Sequence, residues 1–180
     1  MEQKLNKPNR TKYIIAVIDC IFIGVTFIAS GSGKAMGFGE VPGQTVAFLG
    51  EMLPQAFITP VTVFLIYDLF IPFIFPAIEL LLGIFLIVGF MPRLMAIICI
   101  PLSMVLMTNN IWSISQGMDK FPECVCFGVW EKIFGGLTPV QALSYDILLF
   151  VLALIIIFLH PGGILSSREW VMKLFQKKAP

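Results

Sequence analysis

Two cysteines separated by one residue are the side chains of this sequence best suited to chemistry. Cys124 and Cys126 flank Val125 in a short polar stretch between the third and fourth hydrophobic segments. A reversible disulfide is the simplest reaction of such a pair, because thiolate attack needs only access and a partner sulfur within reach. A disulfide across one residue requires Cα atoms within ~7 Å and closes a strained ring, which is easily reduced. We therefore predict an exchanging bond rather than a permanent crosslink.

The other possible ligands for a metal or haem are poorly placed. Cys20 and Cys99 fall inside hydrophobic segments, where a cysteine usually behaves as a small buried apolar residue. The single histidine, His160, stands at the end of the last segment, away from the cysteine pair in the sequence. A metal site needs more ligands than the pair supplies, so we predict no metal.

Four carboxylic acids lie within or beside the hydrophobic segments: Asp19, Asp68, Glu79 and Asp146. A charged carboxylate in the middle of a bilayer costs about 2.5 to 3.5 kcal/mol, so each acid should be protonated, paired or hydrated. Glu79 and Asp146 are candidates to exchange protons with a reducible ligand such as a quinone. The alternative is interhelical hydrogen bonding to Ser, Thr or Asn. The roles of Asp19 and Asp68 stay open.

The composition places these residues in a membrane protein. The chain has 180 residues, of which 58% are hydrophobic and 13% charged, and its mean hydropathy is +0.93. We predict a single all-α domain, an integral membrane four-helix bundle, because four segments are long enough to cross ~30 Å of hydrocarbon. The predicted spans cover about residues 13–30, 61–91, 94–114 and 141–160. Pro72 and Pro76 predict a kink in the second span.

Positive charge is distributed unevenly across the predicted spans. Nine of the 12 Lys and Arg residues fall on one side: Lys4, Lys7, Arg10, Lys12, Arg93, Arg168, Lys173, Lys177 and Lys178. The positive-inside rule then places both termini in the cytoplasm, with an interfacial helix over residues 164–178. In a bacterium, Cys124 and Cys126 would lie on the periplasmic side of the inner membrane, where disulfides persist. The lipid bilayer is the first partner, and no nucleic-acid partner is predicted.

Local signals complete the predicted architecture. The first span places its polar residues on one helical face: Lys12, Asp19, Thr26 and Ser30. Residues 31–34, Gly-Ser-Gly-Lys, are expected to end that helix, and residues 35–60 to form an outer loop with a short surface helix. Thr138 and Pro139 are typical of a helix start. The first segment is also compatible with a secretory signal, because basic residues precede it.

The ordered motifs resemble the MauE/DoxX family of redox-associated four-helix membrane proteins over roughly residues 13–160. The resemblance rests on Gly31 to Lys34, on Pro76 to Glu79, on Arg93, and above all on residues 124–128, Cys-Val-Cys-Phe-Gly. That last motif is similar to the C-x-C-F-G signature of the MauE branch. It implies a role beside electron-transfer systems, such as maturation of a disulfide-rich exported dehydrogenase or thiosulfate:quinone oxidoreduction.

These observations lead to one functional hypothesis and two alternatives. The hypothesis is that Cys124 and Cys126 exchange electrons between an extracytoplasmic thiol/disulfide partner and a membrane quinone, with Glu79 or Asp146 moving protons. The first alternative is a noncatalytic subunit or assembly factor of a respiratory or dehydrogenase complex, whose cysteines form a fixed clip. The second is a small transporter that uses the buried acids.

Overall fold

The computed structural model describes residues 10–37, 43–54, 58–121, 127, 129–131 and 135–160. These residues form five helices of ten residues or more: α1 (Arg10–Met36), α2 (Gly43–Met52), α3 (Pro60–Val88), α4 (Pro92–Ser115) and α5 (Pro139–Leu159). All except α2 are long and apolar enough to cross a membrane, which confirms the all-α fold with four candidate spans. Cys124, Cys126 and the 164–178 tail helix lie outside the described residues, and the orientation of the termini stays a prediction.

The prediction that residues 31–34 end the first helix is wrong. Helix α1 continues through both glycines to Met36. A Cβ on Gly31 would lie 2.9 Å from the Pro76 carbonyl oxygen and from the Leu80 amide, and a Cβ on Gly33 would overlap the Phe127 carbonyl. Glycine weakens an isolated helix, but here its missing side chain admits close neighbours, and that packing outweighs its weak propensity. Lys34 therefore stands in the last turn of α1.

Helix α3 changes its hydrogen-bonding pattern along its length. It begins as an α-helix over Pro60–Val63, capped by the Thr59 hydroxyl, and becomes a π-helix over Phe64–Ile74. The α-helix resumes over Phe75–Val88. A proline removes one backbone donor, and local π-helical bonding is one way in which a membrane helix accommodates the loss. The chain thus stays helical through Pro72, which lies inside the π-helical stretch.

The bundle is built around α1 and α5. Helix α1 packs against the α-helical second part of α3 and against α5, and α5 also packs along α4. Their shared core consists of buried apolar side chains that include Cys20, Ile23, Phe27, Leu86, Ala96, Cys99, Leu149 and Ile156. The predicted burial of both cysteines is confirmed. The predicted polar face of α1 is confirmed for Asp19, Thr26 and Ser30, which are buried, whereas Lys12 is exposed.

Two glycines set the distance between α1 and α3. A Cβ on Gly24 would lie 2.9 Å from the Gly83 carbonyl oxygen, and one on Gly83 would lie 2.7 Å from the Gly24 carbonyl oxygen. Small residues at such crossings let membrane helices approach backbone to backbone. Helices α1 and α3 stay close together as far as Gly31. This close packing determines which α3 side chains face the end of α1.

The short helix α2 covers the end of α4. Its Phe48 ring meets the Trp112 ring edge-on, with centroids 5.8 Å apart. The Trp112 indole donates a hydrogen bond of 2.7 Å to a Glu51 carboxylate oxygen. A buried Trp usually requires such a partner for its N–H group. The segment between the first two spans is thereby tied to the third span.

The predicted start of α5 is confirmed in detail. The Thr138 hydroxyl accepts a hydrogen bond from the Gln141 amide, and the Gln141 side chain accepts one from the Thr138 amide, which completes a capping box. We expect Thr138→Ala to lower the free energy of unfolding by about 1 kcal/mol, the usual value of such a cap. Reversible unfolding in detergent micelles measures this change.

Ser144→Ala is the matched control for the cap. The Ser144 hydroxyl is exposed and donates to the Val140 carbonyl of its own helix. Its loss should leave stability nearly unchanged, because such bonds contribute little to a helix. Equal losses in the two variants would contradict the assigned capping role.

Candidate functional site

A buried ion pair joins the end of α1 to the middle of α3. Lys34 Nζ lies 2.7 Å from Glu79 Oε1 and 3.0 Å from Oε2. The Ser30 hydroxyl donates a third hydrogen bond, of 3.0 Å, to Oε2. The side chains of Lys34 and Glu79 are 15% and 1% exposed. The carboxylate therefore has its charge compensated and both oxygens bonded, as burial in a membrane span requires.

Helix periodicity explains why these residues meet. Ser30 and Lys34 are four residues apart on α1 and so share one face. The missing side chains of Gly24, Gly31 and Gly83 bring α1 and α3 close enough for both to reach one carboxylate. Lys34 Nζ also lies 4.7 Å from the centroid of the Phe75 ring, a cation–π contact that holds the ammonium group over α3.

A second polar contact joins α4 and α5. The Asn110 side-chain amide donates a hydrogen bond of 2.7 Å to Asp146 Oδ2, and both residues are buried. Asn110 Oδ1 is buried and has no hydrogen-bond partner within the part of the chain that the structure describes. Asp146 thus contacts a neutral amide, in contrast to the cation that contacts Glu79.

Two hydroxyl groups lie between α1 and α5. Thr26 Oγ1 donates to the Phe22 carbonyl at 3.0 Å and lies 3.1 Å from the Tyr145 hydroxyl. A threonine hydroxyl has a single hydrogen, so Tyr145 must be the donor in the second bond. The Tyr145 oxygen therefore keeps its acceptor capacity for another group.

These polar groups line one cavity. Its polar lining residues are Thr26, Ser30, Lys34, Glu79, Tyr145 and Asp146, and its apolar walls include Phe27, Leu106 and Leu149. The cavity offers about 30 Å³ to water-sized molecules and occupies about 390 Å³ together with its open mouth. Two carboxyl groups, one ammonium group and three hydroxyl groups thus surround a single space.

The segment that follows the cysteine pair contacts both this cavity and the end of α1. Phe127 lines it, and the Phe127 ring meets the Tyr145 ring edge-on with centroids 6.0 Å apart. The Val129 amide donates to the Gly33 carbonyl at 3.1 Å, and the Trp130 indole donates to the Ser32 hydroxyl at 3.1 Å. The last turn of α1 therefore binds both the membrane-buried acid and the segment that begins one residue after Cys126.

The structure brings together part of the predicted site. Glu79 and Asp146 line the same cavity, and the interhelical hydrogen bonds weighed as an alternative are present at both. Asp19 is buried on α1 and Asp68 is exposed on the π-helical stretch, and neither lines the cavity. The cysteine pair lies outside the described residues, so its chemistry stays a prediction.

The sequence interpretation missed four residues of the site: Ser30 and Lys34 as partners of Glu79, Asn110 as the partner of Asp146, and Tyr145 at the cavity. Each is a polar residue within a long apolar helix, and a polar residue in such a helix usually has a bonding partner or a function. The position of such a residue in the sequence indicates that it has a partner. Which residue that partner is depends on how the helices are rotated in the bundle.

One comparison with known proteins gave a match. A family model described as methylamine utilisation protein MauE matches residues 11–159, which include all four candidate spans apart from the first residue of α1. Comparison with curated proteins and with solved structures found no match. The match supports the MauE part of the resemblance, whereas the DoxX part stays a prediction.

Proposed function

This chain belongs to the MauE family of methylamine utilisation proteins, and we propose that it exchanges electrons between an exported thiol/disulfide partner and a membrane quinone. The cysteine pair, Cys124 and Cys126, carries the exchange. The observation that supports the proposal most directly is the packing of Phe127 against Tyr145 at the cavity. Cys126 directly precedes Phe127 in the sequence.

The exchange balances in atoms and electrons. Two thiols of the exported partner are oxidised to a disulfide while the Cys124–Cys126 disulfide is reduced to two thiols. Reoxidation of the pair releases two electrons and two protons. A bound quinone accepts both and leaves as a quinol. The chemistry matches an exported dehydrogenase with many disulfides, the class of partner that the family resemblance implies.

The residues at the cavity supply groups that suit a quinone headgroup. The Lys34 ammonium has a third hydrogen beyond its two bonds to Glu79, which a quinone carbonyl can accept, and Phe27, Leu106 and Phe127 supply apolar surface for a ring. The space open to water-sized molecules is about 30 Å³, well below the ~300 to 1,000 Å³ of small-molecule sites, so the proposal requires the quinone ring to bind at the open mouth of the cavity. Glu79 and Asp146 are carboxyl groups that can hold protons beside such a ligand.

A second candidate function rests on the same contacts. The bonds from Val129 and Trp130 to the end of α1 fix the segment after the cysteines. A fixed disulfide in this loop would shape a docking surface for a dehydrogenase or respiratory partner, and the protein would then serve as an assembly factor or noncatalytic subunit.

Replacing either loop cysteine separates the two functions. We expect Cys124→Ser and Cys126→Ser each to lower dithiothreitol-dependent reduction of a short-chain quinone by at least about tenfold, because one thiol cannot form the intramolecular disulfide. Protein in lipid nanodiscs is assayed by quinone absorbance. Cys99→Ala, a buried cysteine far from the loop in sequence, is the control and should retain the rate.

Thiol trapping with a membrane-impermeant alkylating reagent completes the test. A pair that becomes reactive after dithiothreitol and is protected again after quinone supports the exchange. A pair that stays oxidised throughout, together with an unchanged rate in both serine variants, overturns it and favours the docking role.

A further inference from the structure

The cavity between α1, α3 and α5 is large enough to hold water, and six polar residues line it although most of its wall surface is apolar. Half of its lining residues are polar, and its 30 Å³ exceeds the 10 to 15 Å³ or so that one water molecule requires. The Tyr145 hydroxyl donates its hydrogen to Thr26, so its oxygen is available as an acceptor for a water hydrogen. A buried water needs about two to four polar partners, and the polar side chains at this cavity supply them.

The charges around the cavity do not balance if both acids are ionised. Of the lining residues that the structure describes, Lys34 is the cation, and Glu79 and Asp146 are the carboxylic acids. Two carboxylates and one ammonium group would leave a net negative charge within the membrane spans, which is costly. One retained proton removes that cost.

The contacts indicate which acid retains the proton. Lys34 bonds both oxygens of Glu79, and Ser30 donates to the same carboxylate, so Glu79 is stabilised as the anion. Asp146 receives its hydrogen bond from the neutral amide of Asn110. Charge balance therefore assigns the proton to Asp146 and leaves Lys34 and Glu79 as a neutral pair.

We propose that this cavity is a hydrated proton-exchange site, in which water connects a protonated Asp146 with the Lys34–Glu79 pair. The ligand is thus water together with one proton that the two carboxyl groups share. The proposal goes beyond the redox function, because no cysteine takes part in it. If the redox function holds, this site supplies the protons that accompany the electrons.

Infrared difference spectroscopy of the full-length protein in lipid nanodiscs tests the proposal. The wild-type protein should show a carbonyl stretch of a protonated carboxyl group that Asp146→Asn removes. The same band should shift when H₂O is replaced by D₂O, because the cavity is hydrated. A spectrum without an Asp146 band, or a band that does not respond to D₂O, overturns the proposal.

Two further variants test whether the proton is shared. In Glu79→Gln, Lys34 loses its counterion, so Asp146 should ionise and its carbonyl band should disappear although Asp146 is still present. In Lys34→Met, both carboxyl groups should be protonated and a second band should appear. Persistence of the Asp146 band in Glu79→Gln contradicts the sharing. If Glu79→Gln does not fold, Lys34→Met decides: two bands support the proposal, and one band overturns it.

The controls separate this result from the redox function. Asp68→Asn changes an exposed acid of α3 outside the cavity and should leave the bands unchanged. Loss of the Asp146 band in that variant would contradict the assignment. The Cys124→Ser and Cys126→Ser variants should retain all bands even where quinone reduction is lost, so either proposal can fail while the other stands.

Discussion

Glu79→Met is expected to lower the free energy of unfolding by about 3 kcal/mol, because it removes the carboxylate that bonds Lys34 directly, whereas Asp146 is bonded to Asn110. Breaking a buried ion pair from one side usually costs about 3 to 5 kcal/mol. We expect a cost at the lower end of that range, because the Lys34 side chain is 15% exposed and lies near a helix end. Its long aliphatic stem can extend toward water there. Unfolding in mixed micelles, at rising concentrations of a denaturing detergent, measures this change in free energy.

The double variant Lys34→Met with Glu79→Met provides the matched control. Replacing both members of a buried ion pair with apolar side chains is often neutral or even stabilising by about 1 to 4 kcal/mol. We therefore expect the double variant to recover most of the stability lost in Glu79→Met. A double variant that is less stable than Glu79→Met would show that Lys34 stabilises the fold through contacts other than this ion pair.

Gly83→Ala is expected to lower the free energy of unfolding by about 2 to 3 kcal/mol, in the upper part of the range for overpacked cores. The added Cβ would lie 2.7 Å from the Gly24 carbonyl oxygen and 2.9 Å from the Ile28 amide. Backbone atoms cannot rotate away as a flexible side chain can, so α1 and α3 must separate. Separation would also pull Lys34 away from Glu79.

Gly50→Ala is the control for the glycine crossing. Gly50 lies in α2, and a Cβ there would meet nothing within 4 Å. The same substitution should therefore stabilise α2 by about 0.5 to 1 kcal/mol through helix propensity alone. The two variants are expected to change stability in opposite directions under identical unfolding conditions. Stabilisation in both would show that the helices are not held together at Gly83.

The parts of the fold that follow from local chemistry could be predicted from the sequence. Hydropathy alone locates the four long helices, because a membrane span needs a continuous apolar run. The polar spacing of α1 correctly placed Asp19, Thr26 and Ser30 on a buried face. Thr138 and Pro139 marked the start of α5, because a cap depends on residues within one turn.

The parts that depend on contacts between distant segments could not be predicted in this way. Glycines at 31 and 33 look like helix breakers, but their surroundings in the folded protein make them packing residues. Lys34 and Glu79 are 45 positions apart, and only the glycine crossing of α1 with α3 brings them together. A sequence shows that a buried acid needs a partner, whereas helix rotation decides which residue it is.

The late position of α5 in the chain has a consequence for biogenesis. Helix α5 contacts both α1 and α4 and supplies Tyr145 and Asp146, yet it leaves the ribosome after the other spans. The Lys34–Glu79 pair can form as soon as α3 inserts. The Asn110 amide can reach Asp146 only after α5 has inserted, so until then it faces lipid or the insertion machinery. Nascent chains stalled before α5 should therefore be held by the translocon and degraded by membrane proteases faster than complete ones.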